Sequence, residues 1–402
     1  MVQRRIGIWL LGAKGGVATT AILGLTALRK GLTGDTGLVS QLPRFADLDL
    51  AEWDAFVVGG HEIRDVSLAD EAMNLAEISH AIDRRLVEQC RPELDEIDKS
   101  IRPGTLHNVG QTIASFAGKD CKDRQETPRA AILRMQADWK EFLAANDLER
   151  MIVVNVASTE PTVDESALPA TWAEMEPLLD DAERCPLAAS SLYAIAAFEM
   201  GMPYINFTPS LGSKPAALCE LALANNTCHY GHDGKTGETL LKSALAPMFA
   251  QRNLDVMSWV GHNIFGNMDG KVLNDPLNKK TKVVSKDRLL GQILGYDPQT
   301  HISIEYIESL GDWKTAWDHI HFRGFLGTPM IMQFTWQGCD SLLAAPLVLD
   351  LIRFTELAVR RGETGLMTFL ASFFKSPLGI TENDFVRQFQ MLEAWADEAA
   401  KP

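Results

Sequence analysis

The sequence predicts an α/β fold built on a doubly wound, parallel sheet, and three features carry that expectation. The chain opens on a short apolar run, 6–11, which breaks into the glycine turn 12–16 and continues as an Ala- and Leu-rich stretch to Lys30. Strand, turn and helix in that order begin a βαβ unit. Apolar runs of strand length then alternate with helical patterns along most of the 402 residues, and alternation of that kind requires crossover helices over parallel strands. Finally, 46% hydrophobic and 23% charged residues make an ordinary globular balance, in a chain long enough for roughly two or three domains and a large core.

The elements follow in order. Residues 55–58 form a second strand candidate ending at Gly59-Gly60, and 67–89 reads as helix. A helix over 130–148 precedes a strand over 151–156. Next come a helix at 187–200, a strand at 204–207, a helix at 237–251 and an apolar run at 256–260. Strands at 302–307 and 330–334 lead to helical patterns at 341–360 and 365–374. No internal repeat or low-complexity linker divides the chain.

Charge and composition exclude several functions. A net charge of -15 argues against a nucleic-acid partner or an anionic membrane surface, so an anion site must be local. Two arginines precede the first apolar run, but Gly12 and Lys14 end it too early for a secretion signal, and the run 15–28 is too short to span a bilayer. The six cysteines are scattered without a CxxC pair, which fits reduced thiols in a cytoplasmic protein.

One segment reverses the local charge. Residues 266–286, GNMDGKVLNDPLNKKTKVVSK, crowd Lys271, Lys279, Lys280, Lys282 and Lys286 around Asp269. Clustered ammonium groups raise the potential where an anion is held, and a lysine beside other cations loses pKa and can work as an acid or base near neutrality. A solvated basic loop is the plain alternative. At the other end, Gly12, Gly15 and Gly16 sit where a dinucleotide fingerprint belongs, followed by Ala18 and Thr19, with Ala18 read as the substitute for the third glycine. Lys14 occupies the place of the second glycine. The run CHYGHD, with His229, His232 and Asp233, lacks a second ligand cluster, so no metal is expected. No nucleophile and base stand at spacings that support hydrolysis. Lys314 in GDWK and Asp340 in GCDSLLAAPL are unremarkable in isolation. Lys375 follows an apolar helical pattern, where burial would depress its pKa, or it is a surface lysine at a helix C-terminus.

Taken in order, these segments resemble the myo-inositol-1-phosphate synthase family over most of the chain. GHDGKTGETLLKSAL is similar to the family's GDDxKSGQTxxKSxL, WVGHNIFGNMDGKVLNDP to SYNHLGNNDGxNLSAP, VVNVASTEP to WTANTERY and INFTPS to NTFVPG, while TKVVSK keeps a pair of lysines four residues apart. The resemblance implies an active site of Asp233, Asn267, Asp269, Lys282, Lys286, Lys314, Asp340 and Lys375, with Thr236 and Gly237 beside the substrate phosphate. It implies NAD at the glycine turn, with Glu62 of GGHEI near the cofactor in place of the family's aspartate. Lys279 and Lys280 match no family lysine.

The implied architecture is a discontinuous NAD-binding Rossmann-type domain, 1–231 plus 334–402, with an inserted α/β catalytic and oligomerisation domain, 232–333, that forms the sheet core of a homotetramer. The implied reaction turns glucose 6-phosphate into inositol phosphate: oxidation at C5, enolisation at C6, attack on the C1 aldehyde, and hydride return. Lys282 is expected as acid–base partner of the C5 oxygen, Lys286 as a phosphate contact, and Lys314 and Lys375 as stabilisers or proton donors for oxyanions. The rival reading is a cyclase or simple dehydrogenase acting on another sugar derivative. A catalytically dead NAD-binding regulator is disfavoured by the four lysines at family positions.

One departure stands out. Where the family has glutamine beside the substrate phosphate, this chain has Glu238. Two like charges ~4 Å apart at an effective dielectric near ~20 repel by ~4 kcal/mol. Glu238 must turn away, pair with a lysine, or meet a less anionic substrate; pairing with Lys235 or Lys286 is the expectation.

Overall fold

The computed structural model describes residues 4–267, 270 and 289–401. Strands β1 (Ile6–Leu11), β2 (Phe56–Glu62), β3 (Ile101–Pro103), β4 (Met151–Asn155), β5 (Tyr204–Asn206) and β6 (Cys228–Gly231) join β11 (Gly365–Leu366) in one parallel sheet. Its order is β11-β6-β5-β4-β1-β2-β3. Six of these strands stand in the doubly wound order of a dinucleotide-binding fold, with the topological switch between β1 and β4.

Burial explains why the strands read as continuous apolar runs. All six residues of β1 are buried. Ile6, Ile8 and Leu10 enter one core, while Trp9 and Leu11 enter the core on the opposite face. Helices cover both faces, as a parallel sheet demands. The Gly16–Arg29 helix packs against Asp340–Arg360 on one side, and Pro128–Ala145 against Ala189–Glu199 on the other.

A second sheet contains β7 (Asp255–Phe265), β8 (Gln299–Tyr306), β9 (Trp313–Arg323) and β10 (Pro329–Cys339), in the order β10-β9-β7-β8. Here β7 and β8 run parallel and the remaining pairs antiparallel. One face packs on the Gly237–Gln251 helix, where Ala246 and Phe249 meet Trp259, Ile320 and Phe322. The other face exposes Trp317 and Ile331. β10 continues past the domain limit expected at residue 333 and runs directly into the Asp340–Arg360 helix.

Three local expectations change. The pattern over 67–89 is two helices, Leu68–Ser79 and Arg84–Asp98, because His80 takes a left-handed conformation at φ 52° and Asp83 caps a new start. The stretch 365–374 is not one helix: Gly365–Leu366 adds to β6, and Thr368–Phe373 is a short 3-10 turn. Lys375 therefore follows that turn rather than an α-helix. β9 went unread because its buried face carries Asp318, whose carboxylate accepts the indole N–H of Trp259 at 2.6 Å.

Candidate active site

The carboxyl ends of the central parallel strands open into a cleft of about 390 Å³ that reaches the second sheet. At one end lies the glycine turn after β1. Gly12 adopts φ +73°, and a Cβ there would sit 2.7 Å from Ala157 Cα at the end of β4. A Cβ on Gly16 would sit 2.6 Å from Ser341 Oγ, so the first turns of the Gly16–Arg29 and Asp340–Arg360 helices approach closely only because residue 16 lacks a side chain. Gly12, Gly15 and Gly16 line the cleft. The first turn they open holds no acidic side chain and presents the free amides of a helix start, a cradle suited to a pyrophosphate.

Ala18 and Thr19 do not line this cradle. Both are wholly buried on the helix, Ala18 within the apolar core under the sheet, because helical rotation turns them inward. Lys14 also leaves the cleft: its ammonium lies 2.8 Å from Asp98 and donates to the Val66 carbonyl at 2.6 Å. The lysine at the second glycine's place thus projects behind the turn. Glu62, the last residue of β2, ties the turn down. One carboxylate oxygen accepts from the Lys14 amide at 2.9 Å and the other from Ile63 and Arg64 amides at 2.8 and 3.1 Å.

At the other end the loop after β6 meets the segment carrying Lys375. The Asp233 amide donates to the Thr208 carbonyl and Lys235's amide to that of Phe373, while Gly234 bridges to Phe374. This clamp sets the Lys375 ammonium 2.8 Å from the Asp233 carboxylate, with both side chains almost excluded from solvent. Lys314 on β9 lies 3.9 Å from Asp340 and 5.1 Å above the Phe265 ring. Asn267, Thr236, Asp233, Lys314, Asp340 and Lys375 all line the one cleft. Gly237 opens the Gly237–Gln251 helix directly after Thr236. Asp269, Lys282 and Lys286 lie outside the described residues.

The expected partner of Glu238 is corrected. Its carboxylate points beneath the second sheet, 2.7 Å from Lys242 one helical turn on, and accepts from Asn263 at 2.6 Å. Lys235 instead donates to the Gln388 amide oxygen, and burial together with the nearby Lys375 charge pushes it down to about 7. Glu238 is buried and absent from the cleft lining, so it is not placed as a substrate contact; helix geometry turns position 238 inward, away from the cleft.

Sequence reasoning passed over three carboxylates lining this cleft, Glu71, Asp312 and Glu160. Asp312 accepts from the Cys339 thiol and the Ser341 amide, both at 2.9 Å, and from Asn267 at 3.2 Å; burial raises its pKa. It thereby fixes Asn267 beside the start of the Asp340–Arg360 helix. Its signal was its place in GDWK, two residues before Lys314. Glu160 takes the amide and hydroxyl of Ser190 at 2.8 and 2.5 Å, and burial raises it to about 7. Its signal was the end of VVNVASTEP, just beyond β4.

A doubly wound sheet with a glycine cradle at its switch point, joined across one cleft to two lysine–carboxylate pairs, has the architecture of a nucleotide-cofactor enzyme. The chain belongs to the myo-inositol-1-phosphate synthase family, whose model, named for NAD binding, matches residues 6–396. It is similar to inositol-3-phosphate synthase 1 of Bacteroides thetaiotaomicron, at 32% identity over 97% of this chain and 94% of that protein. A crystal structure of inositol-3-phosphate synthase from Caenorhabditis elegans matches with a TM-score of 0.87 and 25% identity, covering 99% of this chain and 86% of that one. A myo-inositol-1-phosphate synthase-related protein from Thermotoga maritima matches with a TM-score of 0.81 and 25% identity over 98% and 99% of the two chains. Among the described residues, no helix is long and apolar enough to cross a membrane.

Proposed function

We propose that this protein cyclises glucose 6-phosphate to an inositol phosphate with NAD as a recycled redox partner. The observation that carries the reading is one cleft holding both the glycine cradle and the Lys375–Asp233 and Lys314–Asp340 pairs. Gly12, Gly15 and Gly16 would hold the dinucleotide, with Glu62 bracing the turn. NAD, when bound, supplies acceptance and later return of a hydride.

The chain's own groups account for the rest. Oxidation, enolisation and ring closure each place negative charge on a sugar oxygen. Lys375, held by Asp233, and Lys314, beside Asp340, are preorganised cations for those oxyanions and act there at little reorganisation cost. Asn267, fixed by Asp312, orients a hydroxyl, while the start of the Gly237–Gln251 helix beside Thr236 receives the phosphate. Lys282 is assigned the proton of the C5 hydroxyl, Lys286 the phosphate, and Asp269 a place beside them, on the family motif alone. The exposed face of the second sheet is assigned to a homotetramer, supported by Trp317 and Ile331 standing bare on it.

Incubation with glucose 6-phosphate and substoichiometric NAD, followed by NMR of the products, tests the reading. An inositol phosphate supports it; an oxidised sugar with matching NADH replaces it with a dehydrogenase.

A further inference from the structure

The cofactor end of the cleft carries an arginine that the glycine turn does not need. Arg64 stands two residues beyond Glu62 and lines the cleft. In a doubly wound sheet the adenosine ribose sits at the end of the second strand, where an acid accepts from its hydroxyls, whereas a nearby arginine accommodates the 2′-phosphate of NADP. This chain places both groups at that corner.

The arginine is caged. Nη1 donates to Glu71 at 3.0 Å, Nε lies 3.5 Å from Glu62, and Nη2 donates to the Lys14 carbonyl. All three charged side chains are largely buried, with Arg64 at 19%, Glu62 at 5% and Glu71 at 21% exposure. The neighbouring cation, Lys14, is committed to Asp98. Three carboxylates against two cations leave the corner net negative. A phosphate entering it would face Glu62 and Glu71, while Arg64, the only arginine lining the cleft among the described residues, has its fork filled. A neutral ribose hydroxyl meets no such repulsion, and Glu62, with three amides on about four lone-pair directions, can still accept one more bond.

We propose that the Arg64–Glu71 pair is the specificity-determining element for the cofactor: it holds the guanidinium away from the ribose 2′ position and selects NAD over NADP, while keeping a latent 2′-phosphate site in place. The inference rests on the NAD reading above. Once released, a guanidinium matches phosphate geometry with two parallel hydrogen bonds, which an ammonium cannot do. Glu71 lies in the first turn of the Leu68–Ser79 helix, where glutamine keeps its shape and removes its charge.

The test is calorimetric binding of NAD and NADP to the whole protein, without turnover, for wild type, Glu71→Gln, Glu71→Ala and Glu71→Gln/Arg64→Ala. Wild type is expected to bind NAD more tightly than NADP. Both single variants should tighten NADP by about tenfold or more, the scale of one charge-assisted phosphate contact, with NAD affinity held within about threefold. The double variant should lose that gain. The proposal is overturned if either single variant binds NAD normally and NADP no better than wild type, or if the gain survives removal of Arg64. Equal wild-type affinity for both cofactors also overturns it while leaving the NAD reading intact. Failure of wild type to bind either removes the NAD reading, and this inference with it.

Discussion

Lys375 and Asp233 are joined twice: ammonium to carboxylate at 2.8 Å, and the Lys375 amide to the Asp233 carbonyl at 2.7 Å. The second bond holds the two backbones together, so the ion pair forms with no main-chain movement. A cation anchored in this way is ready for a developing oxyanion before substrate arrives.

That rigidity gives the first prediction. Lys375→Ala and Asp233→Asn should each lower kcat by at least ~100-fold, the scale of a positioned acid–base or electrostatic group. NAD affinity measured by titration should stay near wild type, because the glycine cradle lies at the opposite end of the cleft. Near-normal turnover in either variant counts against the placement of the reacting sugar.

Glu238 gives the second. The Glu238–Lys242 pair is sealed beneath the second sheet, with both side chains at 1% exposure. Removing one charge strands the other, which typically costs about 3–5 kcal/mol, whereas replacing both by apolar groups of similar shape is often neutral. Glu238→Gln should therefore lower the melting temperature yet leave KM for glucose 6-phosphate unchanged. Glu238→Gln/Lys242→Met should recover most of the lost stability. A changed KM with unchanged stability would return Glu238 to the phosphate.

Glu160 gives a pH dependence. Its folded pKa, about 7, lies above the ordinary value of 4.5. Between those values the folded state keeps a proton that the unfolded state has released, so this group's contribution is full below the lower value and declines as pH rises towards the upper one. Glu160→Gln should flatten the fall in melting temperature across that window. Parallel slopes for wild type and variant would show that Glu160 is not the titrating group.

The exposed sheet face gives a fourth. Ile331, at 61% exposure, stands on β10 of the second sheet. Light scattering should show a tetramer for wild type and smaller species for Ile331→Asp, with circular dichroism unchanged. A wild-type monomer would remove the assembly from the account.

Part of this was legible in the sequence and part was not, for physical reasons. β1, its glycine turn and the following helix were readable because a strand buried on both faces is apolar at every position and a turn with φ +73° demands glycine. The two lysine–carboxylate pairs were not. Asp233 and Lys375 stand 142 residues apart, a separation no periodicity encodes, and only motif resemblance placed them together. For Glu238 a lysine partner was expected, but Lys235 or Lys286 was named because the residue was set beside the substrate phosphate, whereas the helix turns it inward onto Lys242. Arg64 drew no attention, since its meaning depends on Glu62 and Glu71 meeting it in space.

The most direct measurement follows absorbance at 340 nm while glucose 6-phosphate is converted in the presence of substoichiometric NAD, with the phosphorylated product resolved by NMR at the end. The account predicts many turnovers per NAD, an inositol phosphate as product and no accumulating NADH. NADH rising in step with an oxidised sugar, and ceasing when NAD is spent, would contradict it.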